Sequence, residues 1–241
     1  MNQSKSVLDK LSRPGIPTTC VLCDQPANAG GICPQCLRML PWNDVFCERC
    51  GQTMLARQPG GTWCSACQHS PPPFQKARAP LIYGFPVDAV IKAIKFRRHL
   101  WYVPALSDLL LQYVECEFTD ADALLPVPLH RWRQMLRGFN QALELCRTLR
   151  KATGLPIDTQ PIRIRATAAQ TGLNANERRK NLRNAFSVDG KLRCRHPLII
   201  DDVITTGETC SQLARTLLAA GAESVNVLTV ARAYTAGGVK V

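Results

Sequence analysis

No window of the 241-residue chain approaches the ~20 consecutive apolar residues of a membrane-spanning helix, and the opening MNQSKSVLDKLSRPG lacks the apolar core of a secretory leader. The sequence therefore reads as cytoplasmic, without membrane insertion. Acidic residues are scarce as well: 18 Asp and Glu stand against 30 Lys and Arg, a formal charge of +12. That balance points to polyanionic partners, phosphate esters or nucleic acid. A disordered charged tail is not its source, because 46% of residues are hydrophobic and the chain can bury a core. The fingerprints G-x-x-x-x-G-K-[ST] and strand-associated G-x-G-x-x-G are both missing, so the P-loop and dinucleotide-binding classes fit the sequence poorly. Large apolar side chains are few in residues 1–69, so that stretch would be marginal on its own hydrophobic burial.

What is plentiful is cysteine. In a reducing compartment the 12 cysteines argue for metal ligation over a disulfide framework. Eight of them, Cys20, Cys23, Cys33, Cys36, Cys47, Cys50, Cys64 and Cys67, form four consecutive C-x-x-C pairs. A C-x-x-C turn aims two thiolates at one soft cation, and two such turns complete the tetrahedral S₄ shell that suits Zn²⁺. Two structural zinc ions are expected, paired sequentially or interleaved, since spacing alone permits both. Four ligands per ion leave no open position for a catalytic water, and metal binding supplies about 10–16 kcal/mol of folding free energy at such sites. Cys116, Cys146, Cys194 and Cys210 read as buried thiols. The stretch Ser70–Pro80 (SPPPFQKARAP), with three consecutive prolines, reads as an extended spacer between the 1–69 module and a domain at 81–241.

Beyond residue 80 the pattern changes. Val87, Val90, Ile91 and Ile94 share one helical face, Val103–Phe118 carries a longer apolar stripe, and Gln141–Ala152 reads as a helix closed near Gly154. Ala123–Pro128 reads as a buried strand. Leu198–Asp202, a helix from about Cys210 to Ala220, and Val225–Val230 make a strand–helix–strand unit, which predicts a parallel sheet with ligands at the carboxyl ends of its strands. There the sequence places Asp201 and Asp202, then Thr205, Thr206, Gly207, Glu208 and Thr209 leading into the helix. Hydroxyls, a flexible glycine and the N–H groups of a helix start are the equipment for a monoester phosphate. Two adjacent carboxylates accept hydrogen bonds from vicinal hydroxyls or hold a hydrated Mg²⁺. Together they describe a pocket for a ribose 5-phosphate. Glu208 beside that pocket is expected to face away and favour the helix N-terminus.

LIIDDVITTGET is similar to the phosphoribosyl diphosphate (PRPP) signature of type I phosphoribosyltransferases. Together with the cysteine pairs, VPLHRWRQMLRGFNQA (127–142) and AQTGLNANERRKNLRNAF (169–186), it makes the whole chain resemble the ComF/GntX family of competence and DNA-utilisation proteins. The resemblance implies an α/β architecture: a small double zinc-ribbon module, then a type I phosphoribosyltransferase-like parallel sheet flanked by helices. It implies PRPP as ligand, with Asp201 and Asp202 on the ribose hydroxyls directly or through Mg²⁺, and Thr205, Thr206, Gly207 and Thr209 around the 5-phosphate. His130, Arg131, Arg133 and Arg137 match a diphosphate-binding loop, and residues 166–181, with Gln170, Arg178, Arg179 and Asn181, match a mobile loop. Arg137, Arg178 and Arg179 are the candidates for stabilising a ribosyl oxocarbenium ion and the departing diphosphate.

The implied role is the handling of imported single-stranded DNA, with DNA-uptake and recombination proteins as partners. The alternative is an active transferase in nucleotide salvage, and a weaker option is a PRPP-sensing regulator without turnover. Residues 129–195 hold 15 basic and 4 acidic residues, a net +11, so the charge excess surrounds the proposed diphosphate-binding segments. It supports a small polyanion at least as well as a nucleic acid.

Overall fold

The computed structural model describes residues 18–27, 31–56, 62–164 and 185–234. In chain order the first elements are β1 (Thr18–Thr19), β2 (Pro26–Ala27), α1 (Pro34–Met39), α2 (Ser65–His69), β3 (Lys76–Arg78), β4 (Leu81–Ile82), α3 (Val87–Arg97) and α4 (Tyr102–Cys116). They are followed by β5 (Ala123–Pro126), α5 (Arg131–Arg137), α6 (Gln141–Thr153), β6 (Ile162–Arg163), β7 (Phe186–Ser187), β8 (Pro197–Ile204), α7 (Glu208–Ala219) and β9 (Asn226–Arg232). Among the described residues no helix is long and apolar enough to cross a membrane.

The helices form where apolar residues recur at helical spacing. In α6 the buried Ala142, Leu145, Cys146 and Leu149 lie on one stripe. Asn140 caps its start, the side-chain oxygen accepting from the Ala142 N–H at 3.0 Å, and left-handed Gly154 ends it. In α7 the stripe is Cys210, Leu213, Ala214 and Leu217.

One parallel sheet organises the larger domain. β5 pairs with β8, β8 with β9, and β9 with both β3 and β4 on its far side. Parallel neighbours need a crossover, and α7 supplies it between β8 and β9. Side chains alternate across the sheet. Leu198 and Ile200 join Leu228 and Val230 under α3, α4 and α6, whereas Ile199 joins Val227 and Leu125 under α7. With both faces covered, the inner strands read as continuous apolar runs.

Several expectations are corrected. The stretch 70–80 is not a free spacer: Lys76–Arg78 is a strand in register with Asn226–Leu228, and Phe74, Ala77 and Ala79 are buried. The prolines govern only 71–73; beyond them the sheet takes the chain in. β8 continues two residues past Asp202, because Asp201 and Val203 keep their register with Thr229 and Ala231. α7 begins at Glu208, two residues earlier than its apolar stripe suggests, behind left-handed Gly207. Cys116, at the end of α4, is exposed, while Cys146, Cys194 and Cys210 are buried as expected.

The cysteine-rich module sits against the outer strand of the sheet. Cys20, Cys33, Leu37 and Leu40 belong to the core on the α3/α4 face, and Cys50 packs against the core on the α7 face. Backbone bonds stitch the contact: Asn43 N–H to Pro80 O (2.8 Å), Ile82 N–H to Pro41 O (2.7 Å) and Ala77 N–H to Arg49 O (3.0 Å).

Candidate functional site

The eight N-terminal cysteines close into two clusters, Cys20/Cys23/Cys33/Cys36 and Cys47/Cys50/Cys64/Cys67, with the sulfurs of each within 4.8 Å of one another. The pairing is therefore sequential. Cys23 Sγ lies 3.7 Å from Cys33 Sγ, and Cys50 Sγ lies 3.8 Å from Cys64 Sγ. A tetrahedron with Zn–S near 2.3 Å has an edge of about 3.8 Å, so the donor set and the spacing both fit zinc. Backbone N–H groups also point at the sulfurs, from Cys33 to Cys20 (3.3 Å) and from Cys64 to Cys47 (3.2 Å). A hydrogen bond from Cys50 helps pull the Cys47 thiol down to about 4, so that cluster surrenders its first proton readily.

A buried cation stands behind the second cluster. Arg232, the last residue of β9, is 4% exposed, and its Nη2 donates to Gln52 Oε1 at 2.8 Å, two residues beyond Cys50. Four thiolates around Zn²⁺ carry a formal −2, which a neighbouring guanidinium offsets.

The second site lies at the carboxyl ends of the neighbouring strands β5 and β8. On β8, Asp201 Oδ1 accepts from the Asp202 N–H and Asp202 Oδ1 from the Val203 N–H, both at 2.9 Å. Asp202 Oδ2 faces Lys95 Nζ of α3 in an ion pair. Burial, with Asp202 alongside, pushes the Asp201 carboxyl well above the usual range, while Lys95 pulls the other way. Beyond the strand, Thr205 and Thr206 are exposed, Gly207 turns at φ +78°, and Thr209 is half-buried in the first turn of α7. The N-cap of α7 is Gly207, which has no side chain to offer, and Thr206 Oγ1 accepts from the Glu208 N–H at 3.4 Å. A Cβ on Gly207 would meet only Ile204, at 3.7 Å, so glycine is required there by backbone conformation and not by space. Glu208 Oε1 accepts from Gln212 Nε2 (2.8 Å) and lies 4.0 Å from Arg215, turned along the helix as expected.

After β5, α5 (131–137) buries none of its residues. His130 caps it, with Nδ1 accepting from the Trp132 N–H at 3.3 Å. Arg137 donates to Gln141 Oε1 (3.2 Å), and its guanidinium lies 5.6 Å from the centre of the Phe96 ring. Gly138 is left-handed, and a Cβ there would collide with the Arg98 guanidinium. Beside α5 opens a cleft of about 620 Å³, lined by His130, Arg131, Asn140 and Arg163 among others. Burial, and then the charge of Arg133, bring Arg163 down to about 10, with Asp201 acting in the opposite sense. Arg133, Arg163 and Asp201 thus share one electrostatic neighbourhood.

The structure thus brings Asp201, Asp202 and the 205–209 loop onto one strand end, with Arg133 and Arg137 on the adjacent one. Arg178, Arg179, Gln170 and Asn181 lie outside the described residues. Sequence reasoning missed Lys95, Arg98, Arg163 and Arg232: each stands in ordinary helix or strand sequence, and only packing brings it to a site.

Residues 15–68 match the double zinc ribbon domain family. The chain is 36% identical over 225 residues to the DNA utilization protein YhgH of Escherichia coli K12, covering 90% of this chain and 98% of that protein. It is 31% identical over 212 residues to competence protein F of Haemophilus influenzae, covering 84% and 91%. Among solved structures, orotate phosphoribosyltransferase from Aeropyrum pernix overlaps 55% of this chain and 63% of its own, at 17% identity and a TM-score of 0.35. The glutamine PRPP amidotransferase of B. subtilis overlaps 51% and 25%, at 24% identity and a TM-score of 0.33.

Proposed function

Because the chain belongs to the family of the DNA utilization and competence F proteins, we propose that it is a PRPP-binding protein that handles imported single-stranded DNA in the cytoplasm. The observation that carries the PRPP reading is the acidic pair Asp201–Asp202 near the end of β8, three residues before the exposed Thr205 and Thr206 and left-handed Gly207 that lead into α7. The turn would receive the 5-phosphate through backbone N–H groups and hydroxyls, and the carboxylates the ribose hydroxyls. Hard carboxylate oxygens also fit Mg²⁺, which would neutralise charge on the diphosphate when bound. Arg133, Arg137 and the cationic cleft would hold the diphosphate, joined by Arg178 and Arg179 of the expected mobile loop.

The DNA reading is supported by a surface beside this site. Phe96 (73% exposed), Trp101 (58%) and Trp132 (62%) stand among Arg97, Arg98, Arg131 and Arg137, and His99 stacks on Trp101 at 4.0 Å. Aromatic faces interleaved with guanidinium groups suit a single strand, bases stacking and phosphates pairing. Proteins that receive or pass on such a strand, in uptake or recombination, are the expected partners. A transferase of nucleotide salvage would use the same PRPP site, and diphosphate release from PRPP with bases or DNA as acceptors separates the two.

Calorimetry with PRPP and Mg²⁺ tests the shared premise. Wild type is expected to bind, and Asp201→Asn/Asp202→Asn to lose most of the affinity; equal affinity in both proteins overturns the assignment. Single-strand binding is expected to weaken steeply with salt, and to lose about 1–3 kcal/mol for each of Trp101→Ala and Trp132→Ala. No binding at low salt removes the DNA reading.

A further inference from the structure

The carboxylate pair already has a cation. Lys95 Nζ pairs with Asp202 Oδ2, and the side chains are 21% and 9% exposed. Asp202 Oδ1 is taken by the Val203 N–H, so both oxygens of Asp202 are engaged, while Asp201 Oδ1 accepts from the Asp202 N–H. The lysine is held from below, because Ile91 and Ile94 on the same helix are buried in the core. It is also tied to the opposite wall of the site: the next residue, Phe96, lies under Arg137, and Arg98 lies against Gly138. A single turn of α3 thus touches both the acidic pair and the loop after β5.

Resting on the PRPP reading, we propose that Lys95 is the resident counter-cation of the Asp201–Asp202 pair, and that it reduces the dependence of sugar-diphosphate binding on Mg²⁺. Two adjacent carboxylates repel an incoming polyanion unless something neutralises them. With Lys95 in place the negative charge of the pair is offset by one unit, and Asp201 is left as the side chain that meets the ribose. A divalent cation approaching the pair has to compete with the ammonium group. Without the lysine that offset is gone: the bare sugar diphosphate is repelled more strongly and the divalent cation is drawn in more tightly. Lys95 therefore acts as a positioning residue through Asp202.

The test is calorimetry of PRPP with wild type, Lys95→Met and Lys95→Arg, each in Mg²⁺ and in chelator. In Lys95→Met the ratio of Kd in chelator to Kd in Mg²⁺ is expected to rise about tenfold or more, the order that one unit charge about 12 Å away contributes at an effective dielectric of about 20. Lys95→Arg should restore the ratio towards wild type. Equal weakening in both conditions marks a merely structural role and overturns the proposal. A Mn²⁺ titration of the ligand-free proteins, checked for native circular dichroism, keeps this separate from the PRPP reading. Tighter Mn²⁺ binding by Lys95→Met is expected, and an unchanged Mn²⁺ affinity overturns the proposal even where PRPP binds. If wild type fails to bind PRPP in either condition, it is the PRPP reading that falls.

Discussion

Replacing Phe74 by alanine tests whether the proline-rich stretch is a tether or part of the larger domain. Phe74 is 1% exposed and belongs to the cluster that includes Ala77, Leu125, Ile199 and Val227. A phenylalanine on a tether would change stability by no more than about 0.5 kcal/mol on truncation. A fully buried one costs about 3–5 kcal/mol, the transfer term plus the cavity left behind, out of a total near 5–15 kcal/mol for a typical domain. For a domain of this size that corresponds to a fall in Tm of roughly 6–20 °C. The assay is urea unfolding followed by far-UV circular dichroism in excess zinc, with Gln75→Ala, an exposed neighbour, as control. A midpoint shift worth less than about 1 kcal/mol at unchanged slope would refute the reasoning, because the segment would then contribute no core.

Two further predictions concern charge. Asp201 takes up a proton more readily folded than unfolded, since burial raises it; its ionisation therefore costs stability, fully so above the folded pKa and not at all below the unfolded value of about 3.9. Asp201→Asn should thus raise the Tm of the ligand-free protein at pH 7, with a gain that shrinks as the pH falls, whereas a loss or a pH-independent gain in thermal melts contradicts this. Arg232→Met should speed zinc release from the second cluster while leaving the first unchanged, read with a chromogenic chelator as two kinetic phases; identical release curves for variant and wild type would remove the charge-balancing role.

The cysteine spacing made both metal clusters legible because C-x-x-C is a local turn, and only the pairing awaited three dimensions. Helices α3, α4 and α6 and strands β5, β8 and β9 were legible for a similar reason: periodicity is written along each segment. The outer strand at Lys76–Arg78 was not legible. Three residues are too short for a pattern, and what makes them a strand is a partner, Asn226–Leu228, 150 positions away. The phosphate turn was readable because its hydroxyls and glycine are consecutive. Lys95 and Arg163 were not, because they reach Asp202 and Asp201 through space from elements that carry no motif.

The bonds of Arg49 to β3, Pro41 to β4 and Asn43 to Pro80 between them have a consequence for solubility. A sheet's last strand presents unpaired N–H and C=O groups that template pairing with another chain. Here that margin is occupied by a module that owes its shape largely to eight thiolates. Metal withdrawal would then do more than unfold a small appendage: it would uncover a strand rim and invite self-association.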